Sequence, residues 1–123
     1  KNTAEKPIMV MADKKRIEQV FTNLLVNSIN YGNENGETRI RFYDMNDNIL
    51  IEVADNGIGM SKEHLPRIFE RFYRVDKSRS RNEGGSGLGL AICKHIIEAH
   101  KQTISARSSV DVGSTFAFTL KKA

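Results

Sequence analysis

The chain has 123 residues, 39% hydrophobic and 28% charged, with a formal net charge of +4. That length accommodates one domain with a real core and leaves no room for two, so residues 1–123 are expected to form a single domain. No apolar run approaches the roughly 20 residues of a membrane span, nothing reads as a signal peptide, and the excess positive charge lies mostly in one segment without interleaved aromatics, which argues against a nucleic-acid surface. The opening Lys1-Asn2-Thr3, without Met, reads as the start of a piece cut from a longer protein.

Ile8-Met9-Val10-Met11-Ala12 is a short apolar run that predicts a buried strand. Asp13 is placed to cap the long helix that follows. In that helix Ile17, Val20, Phe21, Leu24, Leu25 and Ser28 form an apolar stripe at i, i+3, i+4 spacing. Asn23, Asn27, Asn30 and Tyr31 form a second stripe, within about a third of the circumference. Asparagine is a poor helix former, and a merely solvated face would favour Lys, Glu or Gln. A ladder of neutral amide oxygens suits a hard cation such as Mg²⁺; the plainer alternative is a polar boundary satisfied by the backbone.

Gly32 to Gly36 is a turn-rich exit. Thr38 to Tyr43 alternates in period two, and Ile49 to Val53 is a second strand after Asp47-Asn48, which together predict a hairpin. Asp55-Asn56-Gly57-Ile58-Gly59-Met60 follows. Asn-Gly ordinarily marks a hairpin turn, but Ser61 and Glu63 signal a helix start, so Asp55 stands at the end of a strand before a glycine-flexed loop. A carboxylate there accepts a hydrogen bond from an exocyclic amine, which selects adenine over guanine; the alternative is a capping aspartate. Ser61 to Phe72 predicts a short helical segment interrupted by Pro66, with Leu65, Ile68, Phe69 and Phe72 as its apolar residues.

Arg71, Arg74, Lys77, Arg79 and Arg81 then face a single acid, Asp76. Glu83-Gly84-Gly85-Ser86-Gly87-Leu88-Gly89-Leu90 sets four glycines within six residues ahead of a helix from Leu88 to His100. Without Cβ atoms such a loop lets a ligand reach its backbone, and its N–H groups join the orphan donors of the first helical turn as a site for an anion. The two stretches read as a basic lid over phosphates, against the alternative of a flexible linker. No Gly-Lys-Ser/Thr occurs, which excludes a P-loop. A dinucleotide fingerprint needs Gly or Ala at Leu90 and a strand just upstream. Cys93, in the apolar helix, reads as a buried structural thiol. Gln102 to Arg107 and Ser114 to Leu120 alternate as strands around an Asp111-Val112-Gly113 turn. His64, His95 and His100 lack metal-like spacing and read as surface or helix-end residues.

Asn23-Leu24-Leu25-Val26-Asn27, Asp55 to Met60, Ile68-Phe69-Glu70-Arg71-Phe72-Tyr73-Arg74, Gly85 to Leu90 and Gly113-Ser114-Thr115-Phe116 stand in one order. They resemble the N, G1, F, G2 and G3 boxes of the catalytic, ATP-binding domain of sensor histidine kinases, over nearly the whole chain. The resemblance implies an α+β, two-layer α/β sandwich: the Bergerat (GHKL) fold, a mixed, mostly antiparallel sheet covered on one face by helices, with a mobile ATP lid at about 73–86. It implies Mg²⁺ at Asn27 with Asn23 nearby, and Asp55 on the adenine amino group. Gly57 and Gly59 would let the base approach, and Tyr31 would stand near it. Gly85, Gly87, Leu88 and Gly89 would contact phosphate, with Arg71 and Arg74 as phosphate-side cations and Thr115 in the ATP site. No general base is identified.

Two positions depart from the family pattern: Asn30, where many relatives carry Lys or Arg, and Lys101, where glycine is usual. ATPase members of the family carry a glutamate where this chain has Asn23. The implied activity is transfer of the γ-phosphoryl group of ATP to a histidine on a separate helical dimerisation domain, which passes it to the aspartate of a response-regulator receiver domain. Such a domain is expected in the cytoplasm, with membrane attachment only through the rest of an inner- or plasma-membrane sensor. The alternatives are a self-contained ATPase of the same fold and a silent nucleotide-binding module.

Overall fold

The computed structural model describes residues 9–30, 36–73 and 88–123. Asp13 opens α1 (Lys14–Asn30), accepting at Oδ1 from the Arg16 amide at 3.2 Å, the side-chain cap its position predicts. The second helix, α2 (Gly89–Ala99), is followed by a turn in which Lys101 N donates to Glu98 O at 2.9 Å and Gln102 N to Ile97 O at 3.1 Å. These two bonds form a Schellman motif, and Lys101 takes the left-handed conformation it requires, φ 60°.

The strands are β1 (Val10–Met11), β2 (Thr38–Asp44), β3 (Asn48–Asp55), β4 (Ile104–Ser109) and β5 (Gly113–Lys122). β5 is central. On one side it pairs with β3, which pairs in turn with β2; on the other it pairs with β4 and, at its far end, with β1. All of these pairings are antiparallel. The β2–β3 hairpin is the expected one, in a register that sets Thr38 opposite Asp55.

Both helices lie on one face of this sheet. Ile17, Val20 and Leu24 of α1 and Cys93, Ile96 and Ile97 of α2 meet Ile49, Ile51, Val53, Phe116, Phe118 and Leu120 in one buried cluster. Each large side chain so buried contributes ~1.5–3 kcal/mol relative to exposure. Phe21 and Phe69 add edge-on ring contacts to Phe118 and Phe116, with centroids 5.5 and 6.2 Å apart. On the other face Arg39, Arg41 and Tyr43 are exposed, while Glu52 and its register partner Ala117 are buried, Glu52 held by Arg107 at 3.0 Å. Among the described residues no helix is long and apolar enough to cross a membrane.

Two expectations need correction. β1 is not fully buried: among the described residues it pairs with Lys121 and Lys122 at the sheet's edge, so Val10 packs against the core while Met9 and Met11 are exposed. Nor is Ser61 to Phe72 an α-helix. It is a run of turns closed by i to i−3 bonds, among them Arg67 N to His64 O at 2.9 Å and Glu70 N to Arg67 O at 2.9 Å. Pro66 supplies no N–H and its ring obstructs an i−4 ladder. Ile68 is buried and Leu65 and Phe69 pack against the core as expected, whereas Phe72 is exposed at φ 65°.

Candidate functional site

Contacts between segments remote in sequence bring one end of the two layers together. Ser28 Oγ lies 2.6 Å from Thr38 Oγ1, so the last turns of α1 stand over the start of β2, where Thr38 pairs with Asp55. Asn23 Nδ2 donates to Gly89 O at 3.3 Å, setting the first turn of α2 beside the same half of α1. At the other end the Asp13 amide donates to His100 Nε2 at 3.0 Å, so the helices run antiparallel. The β4–β5 turn completes the end that carries Asp55, since Ala54 pairs with Thr115 and Ser109 with Gly113. The Asn stripe, Asp55 and the start of α2, far apart in sequence, thus share one end of the molecule.

Asp55 is the most constrained of the candidates. Its Oδ1 accepts from Gly57 N at 2.9 Å and from Ser114 N at 3.3 Å. Among the described residues Oδ2 has no protein donor, which leaves one oriented acceptor for a ligand. Asn56 turns away: its Oδ1 accepts from Glu37 N at 2.8 Å. The loop continues against the β4–β5 turn, where Asp111 N donates to Ile58 O at 2.8 Å and Met60 N to Ser108 Oγ at 2.7 Å. A Cβ on Gly59 (φ 69°) would collide with Ser109 O, and one on Gly113 (φ 135°) with Asp55 O. Glycine at 59 therefore serves the close approach of that turn; the space beside it is already filled.

Among the described residues Leu88 at the N-cap of α2 makes no side-chain cap, and a Cβ on Gly89 would meet nothing within 4 Å. The first turn of a helix carries amide donors and the positive end of the helix dipole. Beneath it Cys93 is fully buried, and burial pushes its thiol up to about 12, with the Asn23 amide pulling weakly the other way. It is a packing residue, as its position predicts.

Asn23 and Asn27 are both half-buried on the same side of α1, with Asn23 anchored through its nitrogen. Their donor chemistry, hard but neutral oxygen, suits Mg²⁺ that takes most of its ligands from phosphates and water. No group of three or more His, Cys, Asp or Glu among the described residues forms a metal cage of its own. Arg71 is exposed. Thr115 lies between the core-facing Ser114 and Phe116, so its side chain stands on the face opposite the helices with Glu52 and Arg107, away from the Asp55 loop. Tyr31, Arg74, Gly85, Gly87 and all of the lid at about 73–86 except Tyr73 lie outside the described residues.

Sequence reasoning missed Ser108 and Ser114, which hold the Asp55 loop. Ser114 could have been found in the Gly113-Ser114-Thr115 motif; nothing in the residues around Ser108 marks it. His64 and His100 are helpers to the fold. His64 Nδ1 bonds Tyr73 Oη beneath the Arg67 guanidinium, which lies 4.7 Å from the Tyr73 ring.

This is the architecture of a two-layer ATP-binding domain, and comparison with known proteins agrees. Residues 12–123 match the family described as histidine kinase-, DNA gyrase B-, and HSP90-like ATPase, and the chain belongs to that ATP-binding family. Its relatives include sensor proteins and a sensor histidine kinase. It is 41% identical over 109 residues to the phosphate regulon sensor protein PhoR of Pseudomonas aeruginosa, covering 89% of this chain and 25% of that one. It is 40% identical over 123 residues to the sensor histidine kinase WalK of Bacillus subtilis, covering 98% of this chain and 20% of that one. The solved catalytic domain of histidine kinase ThkA, in a nucleotide-free form, superposes with a TM-score of 0.78 at 34% identity, covering 92% of this chain and 71% of that one. The chain is thus a catalytic domain of the sensor histidine kinase type, and spans a quarter or less of the length of PhoR and WalK.

Proposed function

We propose that this domain binds Mg–ATP and donates its γ-phosphoryl group to a histidine on a separate helical domain of the same protein, leaving ADP. The receiver domain of a response regulator is the next acceptor, and any membrane attachment belongs to the rest of the protein. The observation that carries the reading is Asp55, with one carboxylate oxygen held by two backbone amides and the other left as an acceptor. An acceptor so oriented suits the 6-amino group of adenine and repels the carbonyl oxygen of guanine. Leu88 and Gly89, at the first turn of α2, supply amide donors for the phosphates, and Arg71 is the described cation of the basic segment that precedes them. Asn27 would hold Mg²⁺, with Asn23 adjacent and itself tied to Gly89. The metal ion would neutralise phosphate charge, and the protein's own share of phosphoryl transfer is positioning.

Isothermal titration with ATP and GTP tests this on wild type and Asp55→Asn. The amide keeps an oxygen for Gly57 N and Ser114 N but turns a donor toward the base. Wild type is expected to prefer ATP, and Asp55→Asn to lose roughly ten- to a hundredfold in ATP affinity, the worth of a charge-assisted hydrogen bond. Equal affinities of wild type for ATP and GTP would overturn the adenine assignment.

A further inference from the structure

We propose that Ser108 is a positioning residue for the adenine side of the site, a reading that rests on Asp55 as the adenine acceptor. Ser108 lies one residue from the end of β4, half-buried and directly opposite Ser114 in the ladder. A serine hydroxyl has one proton to give and two lone pairs to receive with. All three are used here. Ser108 Oγ donates to Gly113 O at 2.9 Å and accepts from Met60 N at 2.7 Å. Ser114 Oγ, 2.8 Å away, therefore donates to it.

The partners give this hydroxyl its consequence. Met60 closes the loop that Asp55 opens, and Gly113 and Ser114 begin β5. Ser114 also gives its backbone N–H to Asp55 Oδ1 at 3.3 Å. One hydroxyl thus ties the far end of the loop to the strand that orients the carboxylate. The middle of the loop is held separately, by Asp111 N on Ile58 O at 2.8 Å. Removing the hydroxyl leaves the Met60 N–H and the Gly113 carbonyl without their partner and frees the Ser114 side chain. Asp55 keeps its charge but loses its fixed direction, so the base loses affinity. Among the described residues none of these bonds reaches the first turn of α2, so the phosphates are expected to keep theirs.

The test uses this domain with Ser108→Ala, Ser108→Cys (close to serine in size, with a weak donor) and Ser108→Thr. Calorimetric titration with Mg–ATP and with inorganic tripolyphosphate separates base from phosphate binding. Amide hydrogen exchange at Met60 reports the bond itself. Expected are a roughly tenfold loss of ATP affinity in the Ala and Cys variants, tripolyphosphate affinity unchanged, faster Met60 exchange, and recovery in Ser108→Thr. If Ser108→Ala does not fold, Ser108→Cys carries the same comparison. Parallel losses for ATP and tripolyphosphate would show a general structural role and overturn the inference. So would faster Met60 exchange with ATP affinity intact. If wild type shows no preference for ATP over GTP, the reading of Asp55 fails instead.

Discussion

Cys93 sits beneath α1 with its thiol 3.8 Å from Val20 O, and burial raises it from an ordinary 9.0 to about 12. Only the thiolate is nucleophilic, so the native thiol is inert. At pH 8 the thiolate population should fall about a thousandfold on folding, and alkylation by iodoacetamide should slow at least as much; rapid labelling of native protein would contradict this burial. The sign for stability follows. Above pH 9 the unfolded chain loses this proton while the native one keeps it, so the native state is progressively disfavoured as pH rises from about 9 toward about 12. His100 shows a different residue-level lesson. Nδ1 donates to Ile96 O at 2.8 Å and Nε2 accepts from the Asp13 amide, so a residue readable only as a helix-end histidine joins the two helices.

At the scale of elements, the end of α2 is the clearest case of local strain. Lys101 holds φ 60° because the Schellman bonds from Lys101 N and Gln102 N demand it, and its Cβ costs ~1 kcal/mol there relative to glycine. Lys101→Gly is expected to raise the melting temperature by a few degrees, measured by calorimetry; a fall would mean that the unfolded state's gain in freedom outweighs the relief. The turn run at 61–72 follows from one residue, Pro66, overriding a pattern of apolar positions that otherwise suits a helix. The hairpin of β2 and β3 needs no such override, since Ile40, Phe42, Ile49, Ile51 and Val53 alternate toward the core.

For the molecule as a whole, the antiparallel pairing of α1 and α2 decides what Asn23 is able to do. Its amide is tied to Gly89 O, and an amide takes no proton at neutral pH. General-base assistance is typically worth ~10²–10⁴-fold, so attack by water should be slow even with ATP bound. An imidazole supplied by another domain is itself the nucleophile and needs no base at Asn23. The isolated chain is therefore expected to hydrolyse radiolabelled ATP very weakly and to leave His64, His95 and His100 unphosphorylated, with label appearing on the helical histidine domain once that is supplied. Rapid turnover by the chain alone would favour a self-contained ATPase, and tight binding without transfer a silent module.

Periodicity and glycine placement alone determined most of the framework. Two helices, the β2–β3 hairpin and the β4–β5 pair follow from where apolar residues repeat, and the Asp55 loop from a carboxylate followed by Gly57 and Gly59. These are local properties, carried by neighbours in sequence. Tertiary structure decided the rest, because it rests on contacts between residues remote in the chain. Edge position exposed Met11, pairing register put Thr115 on the face opposite the helices, and the approach of the β4–β5 turn explains glycine at 59. Ser108 makes the point most plainly: its bond to Met60 spans 48 positions, and no spacing rule links a strand serine to a loop amide so distant before the sheet brings them to 2.7 Å.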